Sequence, residues 1–194
     1  MGSMLDYIGS MIVAGGVSLL VLTLNANMTQ TSFQRNLDMV SQQSAVKLTE
    51  ILEHDLYKAG YRISGSVITR AESLALSFIA DLNDDGRPDS IHYNVGSPSS
   101  LANSSNPNDR PFYRKVNGEQ MVDVALGLVS FYFSYIDTAN RVIPYTELTT
   151  QAKRDVIRMI RFSFRVEPAD PIDTTNYVPV QVTKNILPKN IAGW

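Results

Sequence analysis

The chain has 194 residues and a mass of 21.5 kDa, so it holds one domain or one domain with an appendage. Charged residues make up 19% of it, and an even spread would place about six in the first 34 residues. There is one, Asp6, and Tyr7 to Gln34 is a run of 28 uncharged residues, which excludes a uniform water-soluble domain. The remaining 160 residues carry all 17 basic and 18 of the 19 acidic groups, a balance that gives no pull towards nucleic acid or an anionic membrane surface. The absence of cysteine excludes disulfide frameworks and thiolate metal or redox sites, and two histidines, His54 and His92, exclude a His-rich metal centre.

Ile8 to Leu24 (IGSMIVAGGVSLLVLTL) spans 17 residues, about 26 Å as a helix, at the short end of what crosses a bilayer. A secretory signal peptide is the alternative, but its basic opening region is missing here. The helical pattern also continues, with Phe33, Leu37, Val40, Ser44, Leu48, Ile51 and Leu52 at three- and four-residue steps, ending at Ala59-Gly60. One helix is therefore predicted from about Met4 to Ala59. Residues 1–34 form its membrane or filament-core half, residues 35–60 an amphipathic half, and residues 61–194 a β-rich head.

Within the apolar half, Ser10, Ala14 and Ser18 recur every four positions. Such a stripe lets helix backbones approach closely, and it is also ordinary composition for a spanning helix. Gly15-Gly16 costs roughly 1–2 kcal/mol of helix propensity, so a local bend is anticipated there. Asp6 is either an assembly carboxylate paired with an α-amino group or an acid at headgroup level favouring the helix N-terminus.

Beyond Gly60 the periodicity becomes two. Strands are predicted around Leu74–Phe78, Ile91–Val95, Phe112–Val116, Val129–Tyr135, Val156–Val166 and Val178–Val182. This is an α+β arrangement in which an antiparallel sheet has one face against the helix. Ser97 to Arg110 reads as an exposed loop, and Pro168, Pro171 and Pro179 interrupt the C-terminal stretch.

One motif carries chemistry. Asp81, Asn83 and Asp85 alternate, Gly86 supplies a sharp turn, and Asp89 follows, a spacing that presents hard oxygens to Ca²⁺. An EF-hand is excluded, because His92 stands where the bidentate Glu would fall and the flanks read as strands. The other reading is an Asx-rich turn held by side-chain-to-backbone hydrogen bonds without metal. No nucleophile elbow, Walker loop or HExxH occurs, so no enzymatic activity and no small-molecule substrate are expected. Glu50, Glu53 and Asp55 beside Lys47 and Lys58 read as a salt-bridged solvent face, with His54 at its border. Lys153, Arg154, Arg158, Arg161 and Arg165 read as a solvated basic face, or as a contact to an acidic neighbouring subunit.

The long N-terminal helix closing on Asp55-Leu56-Tyr57-Lys58-Ala59-Gly60-Tyr61 resembles the DLxxAGY end of the helix in type IV pilin-like proteins. The likeness is to PilW-type minor pilins and the J-type pseudopilins of type II secretion. It extends through Leu76-Ser77-Phe78 and Ser90-Ile91-His92-Tyr93 around the acidic loop, and through Phe112-Tyr113-Arg114 with Val116-Asn117-Gly118. Val124-Ala125, Phe133-Ser134-Tyr135, the strand Ile157–Val166 and the terminal Leu187-Pro188-Lys189-Asn190-Ile191 complete it. The resemblance implies a structural filament subunit whose partners are copies of itself or other pilin-like subunits and the membrane, with an extracytoplasmic head. It also implies a basic leader and a glutamate early in the mature helix. Neither is found here, and Asp6 is the candidate stand-in. Charge alone, with Arg35 and Lys47 after the span, favours a cytoplasmic head instead. A membrane-anchored Ca²⁺-dependent adhesion module that acts without a filament is the alternative function.

Overall fold

The computed structural model describes residues 2–101, 104, 106–121, 127–168 and 179–191. The chain divides into two compact units at Met39/Val40. Helix α1 (Gly2–Lys58) is one element of 57 residues. It runs through Gly15-Gly16 as continuous helix, so no melted turn interrupts it there. In the first unit the side chains from Ser3 to Arg35 are exposed, among them Ile8, Ile12, Leu19, Leu20 and Leu22. This stretch is long and apolar enough to cross a membrane. Five of its hydroxyls are satisfied within the helix: Ser10 donates to the Tyr7 carbonyl, Ser18 to Ala14, Thr23 to Leu19, Thr29 to Asn25 and Thr31 to Asn27. That back-bonding is how small polar side chains avoid an unpaired group in hydrocarbon.

The second unit begins on the same helix. Ser41, Ala45, Leu48, Leu52, Leu56 and Ala59 are buried at three- and four-residue steps. The predicted stripe was set too far towards the N-terminus and partly out of phase. Phe33 and Val40 are exposed, and Ser44 and Ile51 are only half-buried. The cause is tertiary, because the sheets cover the helix only from Ser41 onwards.

The helix stops at Gly60 (φ 79°), whose N–H leaves the helical ladder and donates to the Ile79 carbonyl at 2.9 Å. Asp81 N–H then donates to the Tyr61 carbonyl. The end of the helix is thus pinned to a strand, while the Leu56 and Lys58 carbonyls of its last turn accept the Ala59 and Tyr61 N–H groups.

Among the described residues nine strands follow, in two antiparallel sheets. The first has the order β1 (Ile68–Ala71), β2 (Ala75–Ala80), β3 (Asp89–Val95), β4 (Phe112–Val116), β5 (Glu119–Met121), a meander in chain order. The second has the spatial order β7 (Val142–Ile143), β6 (Leu128–Ile136), β8 (Met159–Val166), β9 (Val180–Ile186). A four-residue helix, α2 (Gln151–Arg154), precedes β8. The architecture is α+β with antiparallel sheets, as the patterning predicts.

Both sheets and the helix share one core. Phe78, Tyr93 and Phe112 from the first sheet meet Phe131, Phe133, Phe162 and Phe164 from the second, with Phe112 and Phe131 centroids 5.0 Å apart and Phe131 edge-on to Phe133 at 4.7 Å. Each such ring buries a large apolar area and adds about 0.5–1.5 kcal/mol per well-placed pair.

Some expected boundaries shift. Val156 is exposed ahead of β8, which starts at Met159, and β9 runs further than predicted, to Ile186. The start of that strand at Val178, the interruption at Pro171 and the pair Val124-Ala125 lie outside the described residues. The segment Ser97–Arg110 is not simply exposed. It opens with a 3₁₀ turn (Pro98–Ser100) and buries Asn106 and Asp109. Two long-range bonds tie it down: Asn106 Nδ2 donates to Glu167 Oε2 (3.2 Å) and Arg110 N–H to the Leu128 carbonyl (2.6 Å).

Candidate functional site

The acidic loop joins β2 to β3, and the hairpin sets its geometry. Asp84 (φ 61°) and Gly86 (φ 83°) both adopt left-handed backbone, which turns the chain sharply enough to bring alternate side chains back onto it. Asp81 is 1% exposed. Its Oδ1 accepts the Asp85 N–H (3.1 Å), and its Oδ2 accepts the Gly86 N–H (3.0 Å) and Arg62 Nη1 (3.2 Å). Asn83 Oδ1 accepts the Asp85 N–H as well, and Asp85 Oδ1 accepts the Arg87 N–H at 2.8 Å.

Asp89 serves differently. Its Oδ2 accepts the Leu82 N–H (2.9 Å) and its Oδ1 accepts Asn117 Nδ2 (2.7 Å), tying the loop to the β4–β5 turn. Burial pushes the Asp81 carboxyl up, but Arg62 and the two backbone N–H groups outweigh it and hold the group below its usual range.

Two cations complete the loop, and neither is marked by any sequence pattern. Lys58 Nζ donates to the Leu82 carbonyl (2.7 Å) and pairs with Asp84 (3.2 Å), while Arg62 bridges Asp81 and the Asp84 carbonyl. The structure therefore gathers Asp81, Asn83 and Asp85 around one turn and gives Asp89 a bracing role. Among the described residues, no three His, Cys, Asp or Glu side chains converge as a metal cage.

The other candidate residues, Asp6, Ser10, Ala14 and Ser18, lie exposed on α1 at four-residue steps. The Ser10 and Ser18 hydroxyls are spent on backbone carbonyls, so what this stripe offers a neighbour is small size, not hydrogen bonds.

Asp55 corrects the reading of a solvent-facing acidic run. It is 1% exposed and points from α1 into the core. Arg114 donates to both its oxygens (Nε to Oδ2 at 2.7 Å, Nη2 to Oδ1 at 3.2 Å), the Tyr93 hydroxyl donates to Oδ2, and His54 Nδ1 lies 3.1 Å from Oδ1. Burial and the adjacent carboxylate push the Tyr93 hydroxyl well above its usual range, so it stays a donor. Glu53 does face solvent, paired with Lys184 at 2.6 Å, and Lys58 is committed to the acidic loop. In the basic series, Arg165 pairs with the buried Glu167, Arg161 bonds Asn185, Lys153 pairs with Glu147, and Arg154 is spent on backbone carbonyls.

A second buried carboxylate escapes sequence reading altogether. Asp109 Oδ2 accepts the Ser104 hydroxyl, whereas Oδ1 has no partner among the described residues. Burial pushes its carboxyl up, the Ser104 hydrogen bond opposes this, and Glu167 nearby adds to the rise. A folded pKa above the unfolded value of about 3.9 means that the ionised form costs stability. The cost is fully present above the folded pKa and disappears as pH falls through it. Asp109→Asn is expected to raise the melting temperature at pH 7. The gain should shrink towards pH 4 in a series of thermal melts.

The fold defines the class: an α+β protein with a long apolar N-terminal helix and antiparallel sheets, compatible with a pilin-like layout. No protein-family model, curated protein or solved structure matches the chain.

Proposed function

We propose that this protein is a structural subunit of a type IV pilus-like filament or secretion pseudopilus, of the PilW or J type. The observation that carries the reading is α1 itself: an uncharged, fully exposed apolar stretch on the same helix whose later turns, from Ser41 on, form part of a β-rich core. Exposed apolar surface of this size needs a cover, either lipid or like helices. Burial against like helices is worth roughly 25 cal/mol per Å² relative to water and far less relative to lipid. That small difference allows storage in a membrane and transfer into a filament. The head then lies on the extracytoplasmic side, and the partners are further copies or other pilin-like subunits. No catalytic role is proposed.

Extraction in mild detergent, followed by mass measurement and electron microscopy, tests this. A multi-subunit complex or filament is the expected result. Monomers alone would instead favour a membrane-anchored binding module. Asp6→Ala in the same assay is expected to reduce assembly; unchanged assembly would leave Asp6 as a helix-end acid only.

A Ca²⁺ ion in the acidic loop is a second proposal, supported by the alternation of Asp81, Asn83 and Asp85 around one tight turn. The ion would compete with Arg62 for Asp81 and relieve the repulsion among the loop's carboxylates. Added Ca²⁺ is then expected to raise the melting temperature and EDTA to lower it. An unchanged midpoint would leave Arg62 and Lys58 as the only cations the loop needs.

A further inference from the structure

The outward face of the first sheet carries a feature that neither the apolar helix nor the acidic loop accounts for. Cross-strand registers place Arg70 opposite Ser77, Ser77 opposite His92, and His92 opposite Lys115, a polar row across four strands. Asn94 and Tyr113 form a neighbouring pair on the same face. These six residues line a cleft of about 440 Å³. That volume lies within the range of small-ligand sites.

Its floor is preorganised. Ser77 is 5% exposed, although it stands on the outer side of its strand. The His92 ring is fixed between two hydroxyls, Nδ1 2.7 Å from Ser77 Oγ and Nε2 2.8 Å from Ser90 Oγ. The walls, by contrast, are idle. Among the described residues, the side chains of Lys115, Asn94 and Tyr113 have no hydrogen-bond or ion-pair partner. An ammonium, an amide and a phenol thus converge on one concavity with their donors unspent.

The charge pattern selects the ligand. Among the described residues no acidic side chain lines the cleft, in a chain whose net charge is −2. Arg70 is partly neutralised by its bidentate pair with Glu72 at 2.7 Å, which leaves Lys115 as the free cation of the cleft among the described residues. The cleft lies over β2, β3 and β4, whose backbone groups are consumed in ladders on both sides. A peptide therefore cannot add there as a strand. A small ligand with a carboxylate for Lys115 and hydroxyls for Asn94 and Tyr113 satisfies every idle group. We propose that this cleft binds a carboxylate-bearing sugar unit, independently of whether the protein assembles into a filament.

Calorimetric titration of the full chain in detergent micelles with digalacturonic acid tests this, with the neutral digalactose and a glutamate-rich peptide as comparison probes. One digalacturonate per chain is expected, bound less tightly as salt is raised. Lys115→Glu and Asn94→Ala should each weaken binding about tenfold or more, the worth of a charge-assisted or well-placed hydrogen bond. Both positions are exposed, so unchanged melting temperatures should accompany the loss. Asp84→Asn, in the acidic loop, should leave binding intact. Equal binding of digalactose, undiminished binding by Lys115→Glu, tighter binding of the peptide, or no heat of binding at millimolar digalacturonate would each overturn the proposal.

Discussion

Asp55→Ala is expected to destabilise the protein by about 3–5 kcal/mol, the usual cost of removing one partner from a buried ion pair. The carboxylate accepts from Arg114, Tyr93 and His54, and two of those donors lie inside the core: the Arg114 side chain is 16% exposed and Tyr93 1%. Removing the acceptor leaves a guanidinium and a phenol without their partner in a low-dielectric region. Denaturant unfolding of the full chain in detergent, followed by near-ultraviolet circular dichroism, measures the loss. The triple change Asp55→Leu, Arg114→Met and Tyr93→Phe should recover most of it, because apolar groups of similar volume leave neither a charge nor a phenol hydroxyl unpaired in the core. If the single change costs less than about 1 kcal/mol, the network is not holding α1 to β3 and β4.

The second large effect is expected at Gly60. A Cβ there would stand 2.6 Å from the Asn190 carbonyl oxygen and 2.9 Å from Val67 Cγ2, at φ 79°. The first obstacle is backbone and cannot rotate away. Left-handed strain costs about 1–3 kcal/mol, and overpacking adds a similar amount. Gly60→Ala should therefore cost roughly 2–5 kcal/mol in the same denaturation experiment. Gly65→Ala is the control. Its φ of 111° is also left-handed, but nothing lies within 4 Å of its Cβ, so it should show the conformational cost alone. Equal losses at the two sites would mean that the close approach of Asn190 contributes nothing.

Much of the molecule is legible in the sequence, and the reason differs from element to element. The apolar stretch is plain because a missing charge over 28 residues needs no partner to interpret. The end of the helix is plain because Gly60 breaks the pattern and has the left-handed conformation that favours glycine. Strands β3, β4 and β6 follow from alternation, since one face of each meets the core and the other does not. Strand β2 reads less cleanly: its outward Ser77 and Ala75 are buried as well, Ser77 with its hydroxyl bonded to the His92 ring of the neighbouring strand. Asn106 and Asp109 read as loop surface for the same reason that most polar residues do. Only Glu167 and Ser104, remote or unremarkable in sequence, draw them inside.

The site residues divide along the same line. The spacing of Asp81, Asn83 and Asp85 is local, so the sequence marks the loop. Which cations serve it is not local. Arg62 lies 19 residues from Asp81, and Lys58 reaches Asp84 across 26. Asp55 looks like one more acid on a charged helix face until the sheets fix which face is covered.

By itself, then, the sequence determined the α+β class, the long helix with its apolar half, and the acidic turn, because each rests on periodicity, composition or spacing within a short window. The tertiary structure alone decided that Asp55 is buried on Arg114 and that Arg62 holds Asp81. It also decided that Lys115, Asn94 and Tyr113 share one cleft. Those arrangements bring together residues from separate elements, 19 to 59 positions apart across each junction, and no local pattern of charge or hydropathy encodes which distant side chain arrives.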